Sequence, residues 1–203
     1  KARELDIPLV EDNPYGDLRF EGEAPLPLAA RNPEGVLYMG SFSKVLAPGL
    51  RLGFVVAPKS VYGKLVQAKQ AADLHTPSFN QRVVAEVMKD GFLARHIPTI
   101  RTLYKNQRDA MLAALDQEMV GLGVSWTRPV GGMFLWVQLP EGMDAQKLLP
   151  LAVERGMAFV PGAPFFPGNP QHNCLRLSYV TVPPAQIAQG IAALAAAIKA
   201  YAQ

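Results

Sequence analysis

Three charged residues sit where their side chains could act together on a ligand. Asp12 follows a short apolar run, Pro8-Leu9-Val10, and Lys44 follows a second run, Val36 to Met39, that closes with Gly40-Ser41. Apolar runs without alternation suit strands buried on both faces of an α/β sheet. In open sheets of this kind, ligands bind beyond the carboxyl ends of the strands. If the two strands are neighbours, a carboxylate and a primary amine share one crevice. Arg51 comes after Leu46-Ala47-Pro48-Gly49, a turn able to fold its guanidinium back toward the same crevice. Each residue alone has a plainer explanation, since an Asp after a strand often forms a turn and a Lys there is often a solvated surface charge. Together they make an amine, a carboxylate and a permanent cation that could hold a charged ligand.

The wording around these residues is more specific. Ser41-Phe42-Ser43-Lys44, followed by Ala47-Pro48-Gly49-Leu50-Arg51-Leu52-Gly53, resembles the cofactor-lysine signature of class I and II aminotransferases, which are pyridoxal-phosphate (PLP) enzymes of fold type I. Upstream, Asp12-Asn13-Pro14-Tyr15 is similar to the family's Asp-x-x-Tyr. Downstream, Pro129 to Trp136 and Val160-Pro161-Gly162 resemble its small-domain turns, and Leu175-Arg176-Leu177-Ser178 resembles its carboxylate-binding strand. The resemblance runs along essentially the whole chain, in order.

What the resemblance implies can be set out residue by residue. Lys44 would form a Schiff base with the cofactor aldehyde, which needs an amine that can shed its proton, and once displaced would move the proton from substrate Cα. Asp12 would pair with the pyridine nitrogen and keep it protonated, so that the ring accepts electrons. Tyr15 would donate a hydrogen bond to the cofactor's phenolic oxygen. Ser41, Ser43 and Arg51 would hold the phosphate, and Arg176 would grip the substrate α-carboxylate in a bidentate fork. The implied reaction moves an amino group between an L-amino acid and a 2-oxo acid. The wording from Ala47 to Arg51 is nearest to broad-specificity enzymes acting on aromatic amino acids or 2-aminoadipate. Thr76 to Asn80 resembles a loop that reaches the partner's site in a homodimer, but also reads as an ordinary capped helix start.

The elements that must position these residues follow from periodicity. Strands are expected over Pro8 to Val10, Val36 to Met39 and Leu52 to Ala57, with helices over Ser60 to Ala72 and over Asn80 to Met88, the latter capped by Ser78. A long helix follows from the spacing of Ile97, Ile100, Leu103, Tyr104, Met111, Leu112 and Leu115, with Pro98 early in it. The rest reads as a small α+β unit. It has strands over Val124 to Thr127, Met133 to Leu139, Met157 to Val160 and Cys174 to Ser178, a helix capped by Asp144 and ended by Gly156, and a last helix from Pro183-Pro184. Met133, Phe134 and Trp136 are expected in its core. The fold class is therefore α/β: residues 1–92 as the second half of a PLP-binding large domain with a mixed sheet, and residues 93–203 as a connecting helix and small C-terminal α+β domain.

Several parts that the family's N-terminal half supplies are not found: a Gly-rich helix start for the phosphate, an aromatic ring stacked on the cofactor, and an Asn-Pro-x-Gly asparagine. The chain is thus expected to be one half of a longer enzyme, with exposed sheet edges and weak cofactor retention when alone. Composition adds exclusions. A formal charge of +3 spread over 203 residues, with no run of like charge, is no nucleic-acid footprint. The single cysteine, Cys174, excludes an internal disulfide. No apolar stretch approaches membrane-spanning length, so a cytoplasmic location is expected. His75, His96 and His172 stand apart from one another and from acidic residues, so no metal site is expected. Two alternatives remain: a PLP-sensing domain of a winged-helix transcription regulator, and a carbon–sulfur lyase on the same scaffold.

Overall fold

The computed structural model describes residues 1–201. They fall into two compact units, one over residues 1–100 and the other from Arg101 onward. The first unit holds three strands, β1 (Leu9–Asp12), β2 (Val36–Ser41) and β3 (Gly53–Val56), in the order β1-β2-β3. β1 runs parallel to β2 with Leu9 opposite Val36 and Asp12 opposite Met39, while β3 is antiparallel to β2. The sheet is mixed, and the two strands that precede Asp12 and Lys44 are indeed neighbours. Helices α1 (Leu28–Arg31), α2 (Lys59–Asp73) and α3 (Ser78–Val87) complete the unit.

Two local expectations fail here for identifiable reasons. An unbroken apolar run suits a strand buried on both faces, yet Val10 of β1 is 62% exposed and all four residues of β3 are exposed, with Phe54 at 43%, Val55 at 50% and Val56 at 60%. β3 is an edge strand, so an apolar run marks what it is suited to pack against and not what covers it within this unit. Ser78 is the first residue of α3 and not its cap; Pro77 precedes it and no side chain caps the helix. Glu11 does the work of a cap for the short α1, accepting from the backbone N–H of Leu28 and of Ala29 at 3.0 Å each.

Helix α4 (Phe92–Glu118) belongs to the first unit up to Ile100 and to the second beyond it. The apolar stripe is buried only in its later turns, at Met111, Leu112 and Leu115, while Leu103 is 53% exposed. The second unit adds β4 (Ser125–Trp126), β5 (Phe134–Gln138), α5 (Ala145–Val153), β6 (Val160–Pro161), β7 (Cys174–Ser178) and α6 (Pro184–Tyr201). Its sheet has the order β4-β5-β7-β6, and the pairings within it are antiparallel. Asp144 caps α5 as expected, accepting from Gln146 N–H at 2.8 Å. Leu135, Val137, Leu175, Leu177, Ile191 and Leu194 form the centre of the core, each exposed by 2% or less.

Phe134 and Trp136 do not join that core. A strand turns alternate side chains to opposite faces, and the buried set is Leu135 and Val137. The two aromatic rings therefore lie on the other face of β5. That alternation is visible in the sequence once the strand's register is known.

Candidate active site

The site in the first unit is built from two chain crossings at the carboxyl ends of β1 and β2. Past β1, Asn13 N–H donates to Met39 C=O at 3.0 Å, carrying the parallel pairing one residue beyond Asp12. The Asn13 side chain donates to the Tyr38 hydroxyl at 3.1 Å, and a short turn follows over Gly16–Leu18 with Tyr15 at its start. Past β2, Phe42 C=O accepts from both Leu46 N–H and Ala47 N–H, which folds residues 42 to 47 into a tight turn. Ser43 N–H donates to the Ser41 hydroxyl oxygen at 3.1 Å, leaving that O–H free to donate elsewhere. A Cβ at Gly40 would lie 2.3 Å from the Phe54 ring, so a larger residue at the strand end would have to displace that ring.

These turns bring Lys44 to Tyr15. The Lys44 ammonium stands 6.0 Å from the centroid of the Tyr15 ring. The amine is half-buried, and among the described residues it has no hydrogen-bond or ion-pair partner. Asp12, at the end of the adjacent strand, is exposed and makes no ion pair with any described residue. An amine and a carboxylate at neighbouring strand ends, neither neutralised by the protein, are groups waiting for a ligand of their own.

Arg51 completes the set. The chain from Pro48 to Leu50 forms one short helical turn, and Arg51 ends it in the left-handed region at φ 53°, ψ 42°. Both its N–H and its guanidinium donate to Pro48 C=O, at 3.2 Å each. Asn80 at the start of α3 donates to Leu50 C=O at 3.1 Å and so anchors the turn. This contact gives the Thr76 to Asn80 stretch a positioning job within its own chain, and only the fold reveals it. An aldehyde, a ring nitrogen that carries a proton and a phosphate call for these residue types: an amine, a carboxylate and a guanidinium. The residues present fit pyridoxal phosphate.

Arg176 is in the second unit, at the centre of β7, opposite Trp136 of β5 and Val160 of β6. Leu175, Leu177 and Tyr179 point to the core, so Arg176 and Ser178 take the opposite face, where Phe134 also lies. Tyr179 is fully buried, and its hydroxyl donates to Gly131 C=O at 3.2 Å. Burial pushes the Tyr179 phenol up, against a small opposing pull from Arg108. Burial also pushes the Asp109 carboxyl up, but the hydrogen bonds and charges of Lys105 and Arg108 outweigh it and hold Asp109 below the usual range. Among the described residues no group of three His, Cys, Asp or Glu could hold a metal ion, and no helix is long and apolar enough to cross a membrane.

Residues 1–194 match the family described as aminotransferase class I and II, so the chain belongs to that family of pyridoxal-phosphate enzymes. An aromatic-amino-acid aminotransferase of Thermococcus litoralis is 47% identical over 98% of this chain and 48% of that protein. A 2-aminoadipate transaminase of Thermus thermophilus is 49% identical over 97% of this chain and 50% of its own length. The crystal structure of α-aminoadipate aminotransferase from Thermus thermophilus, complexed with N-(5'-phosphopyridoxyl)-L-leucine, superposes with a TM-score of 0.92 at 48% identity, covering 99% of this chain and 52% of that one. At greater distance, an HTH-type transcriptional regulator of Bacillus subtilis is 31% identical over 96% of this chain and 40% of that protein. The chain thus spans about half the length of the relatives it matches.

Proposed function

We propose that this chain is the lysine-bearing half of a pyridoxal-phosphate aminotransferase that moves an amino group between an L-amino acid and a 2-oxo acid. Residues 1–92 would form the second half of its cofactor-binding large domain, and residues 93–203 the connecting helix and small domain. The observation that carries the reading is the unpaired Lys44 amine beside Tyr15, with Asp12 at the end of the adjoining strand. Aromatic amino acids and 2-aminoadipate are the substrate classes to test first, since the relatives named for them are 47% and 49% identical to this chain over the aligned residues. A cytoplasmic homodimer, with the Thr76 to Asn80 loop reaching the partner's site, is the assembly this reading expects. The regulator reading has weaker support, because its relatives stand at lower identity than those named as enzymes.

When bound, pyridoxal phosphate supplies an electron sink for the negative charge left at the substrate α-carbon. Lys44 Nζ would hold the cofactor at its aldehyde. When free, that Nζ would be the base that moves the proton at the substrate Cα. Asp12 would keep a proton on the ring nitrogen, Tyr15 would donate to the phenolic oxygen, and Arg51 with Ser41 and Ser43 would bind the phosphate. Arg176 orients the substrate through its α-carboxylate, which aligns the Cα–H bond for removal.

The test is the visible absorption spectrum of the full-length protein with pyridoxal phosphate, recorded before and after adding amino acids one at a time. The expected result is a cofactor band that a substrate shifts to the pyridoxamine form, with neither band nor shift in Lys44→Ala. A band that persists in Lys44→Ala, or one that no amino acid changes, contradicts the reading.

A further inference from the structure

The guanidinium of Arg176 is held by aromatic rings. Its central carbon lies 4.0 Å from the centroid of the Phe134 ring and 5.0 Å from that of Phe165. Among the described residues no hydrogen bond or ion pair reaches it. An arginine side chain has many rotamers, and its freedom must be given up before a bidentate pair with a carboxylate can form. A cation resting on ring faces keeps its N–H donors, because those hydrogens lie in the guanidinium plane and the attraction to the ring uses no donor.

The two rings come from different places. Phe134 is on β5, on the same face as Trp136, the residue directly opposite Arg176. Phe165 ends a short helical turn over Ala163–Phe165, in the loop between β6 and β7, and is 50% exposed. That loop is pinned where it leaves the sheet. Gly162 N–H donates to Cys174 C=O at 2.7 Å, and a Cβ at Gly162 would come within 2.7 Å of the Cys174 Cβ, so only glycine lets the loop run this close to β7. Trp136 then meets Phe165 edge to face at 5.7 Å and holds its ring over the arginine. A half-exposed phenylalanine fixed by one neighbour and laid on an unpaired cation is poor hydrophobic burial. As a support for the cation it makes sense.

We propose that Phe134 and Phe165 are positioning residues that set the orientation of Arg176 for the substrate carboxylate, Phe165 being the one that can be altered without disturbing the sheet. The proposal rests on the reading of Arg176 as the carboxylate site. It is tested in the cofactor-loaded, full-length protein with Phe165→Leu, Phe165→Tyr and Arg176→Lys. The readouts are KM and kcat for an amino acid, and the Kd of unreactive 3-phenylpropionate by calorimetry. Leucine fills much of the space but has no ring face, while tyrosine keeps one. Phe165→Leu should raise KM and Kd about three- to five-fold while kcat stays within about two-fold, and Phe165→Tyr should leave all three near their starting values. Arg176→Lys should raise KM and Kd about ten-fold or more, since a point charge replaces the planar fork. Equal effects of leucine and tyrosine, or a change in kcat alone, would overturn the clamp. If Arg176→Lys weakens binding and Phe165→Leu does not, the clamp fails and the carboxylate reading stands. If Arg176→Lys changes neither KM nor Kd, the carboxylate reading fails and the proposal with it.

Discussion

At the scale of single residues, the proposed roles fall on groups that the structure leaves without partners. Lys44, Asp12 and Arg176 have no ion pair among the described residues, although each carries a full charge and a neighbouring opposite charge would cost little to provide. Arg51 adds a second sign, because it occupies a left-handed backbone conformation that glycine would adopt without strain. An arginine there costs about 1 kcal/mol, and strain of this kind gathers where function needs a particular side chain. Arg51→Gly is accordingly expected to leave the melting temperature unchanged or raised while weakening pyridoxal phosphate binding about ten-fold. Thermal unfolding and a cofactor titration of the same variant check this. A lowered melting temperature with unchanged cofactor affinity would assign Arg51 to the fold.

At the scale of elements, the sequence was legible where one physical cause dominated. β7 runs from Cys174 to Ser178 as expected, and Asp144 caps α5, because an isolated strand pattern and a side-chain cap are local signals. That β1 and β2 are neighbours is only a condition in the sequence, and the pairing of Leu9 with Val36 supplies it. Ser78 misled because a serine before an apolar stretch resembles a cap even when the helix starts on it. Phe134 and Trp136 misled because hydrophobicity alone does not say which face of a strand is buried, and Asn80's grip on the Arg51 turn links residues 30 apart in sequence. Tyr179 gives the element-scale test. Its buried phenol stays protonated in the folded chain at pH values where the unfolded chain ionises. The stability this gives is complete below the ordinary tyrosine value of about 10 and is lost as pH rises above it. Tyr179→Phe should cost about 1 kcal/mol at neutral pH through the lost bond to Gly131, yet show a shallower alkaline decline in melting temperature. An unchanged alkaline decline would mean that another group controls it.

At the scale of the whole chain, burial is unequal. In the first unit the buried apolar residues are Leu18, Val36, Val45, Leu52 and Val84, against roughly twenty in the second. The first unit also exposes the apolar side chains of β3, at the edge of its sheet. Stability follows buried apolar surface, so the two units should differ in resistance to opening. Limited proteolysis of the isolated chain is expected to cut first within residues 1–100 and to leave a resistant product covering the later turns of α4 through α6. Early cuts in α5 or α6 would contradict the unequal burial.

Under the proposed function, Lys44 is the residue that binds pyridoxal phosphate covalently. Borohydride reduction of the cofactor-loaded, full-length protein, followed by peptide mapping, tests it most directly. One pyridoxyl group per chain is expected, carried by the peptide that contains Lys44 and absent from Lys44→Ala. A label on another lysine, or one spread over several surface lysines, would contradict it.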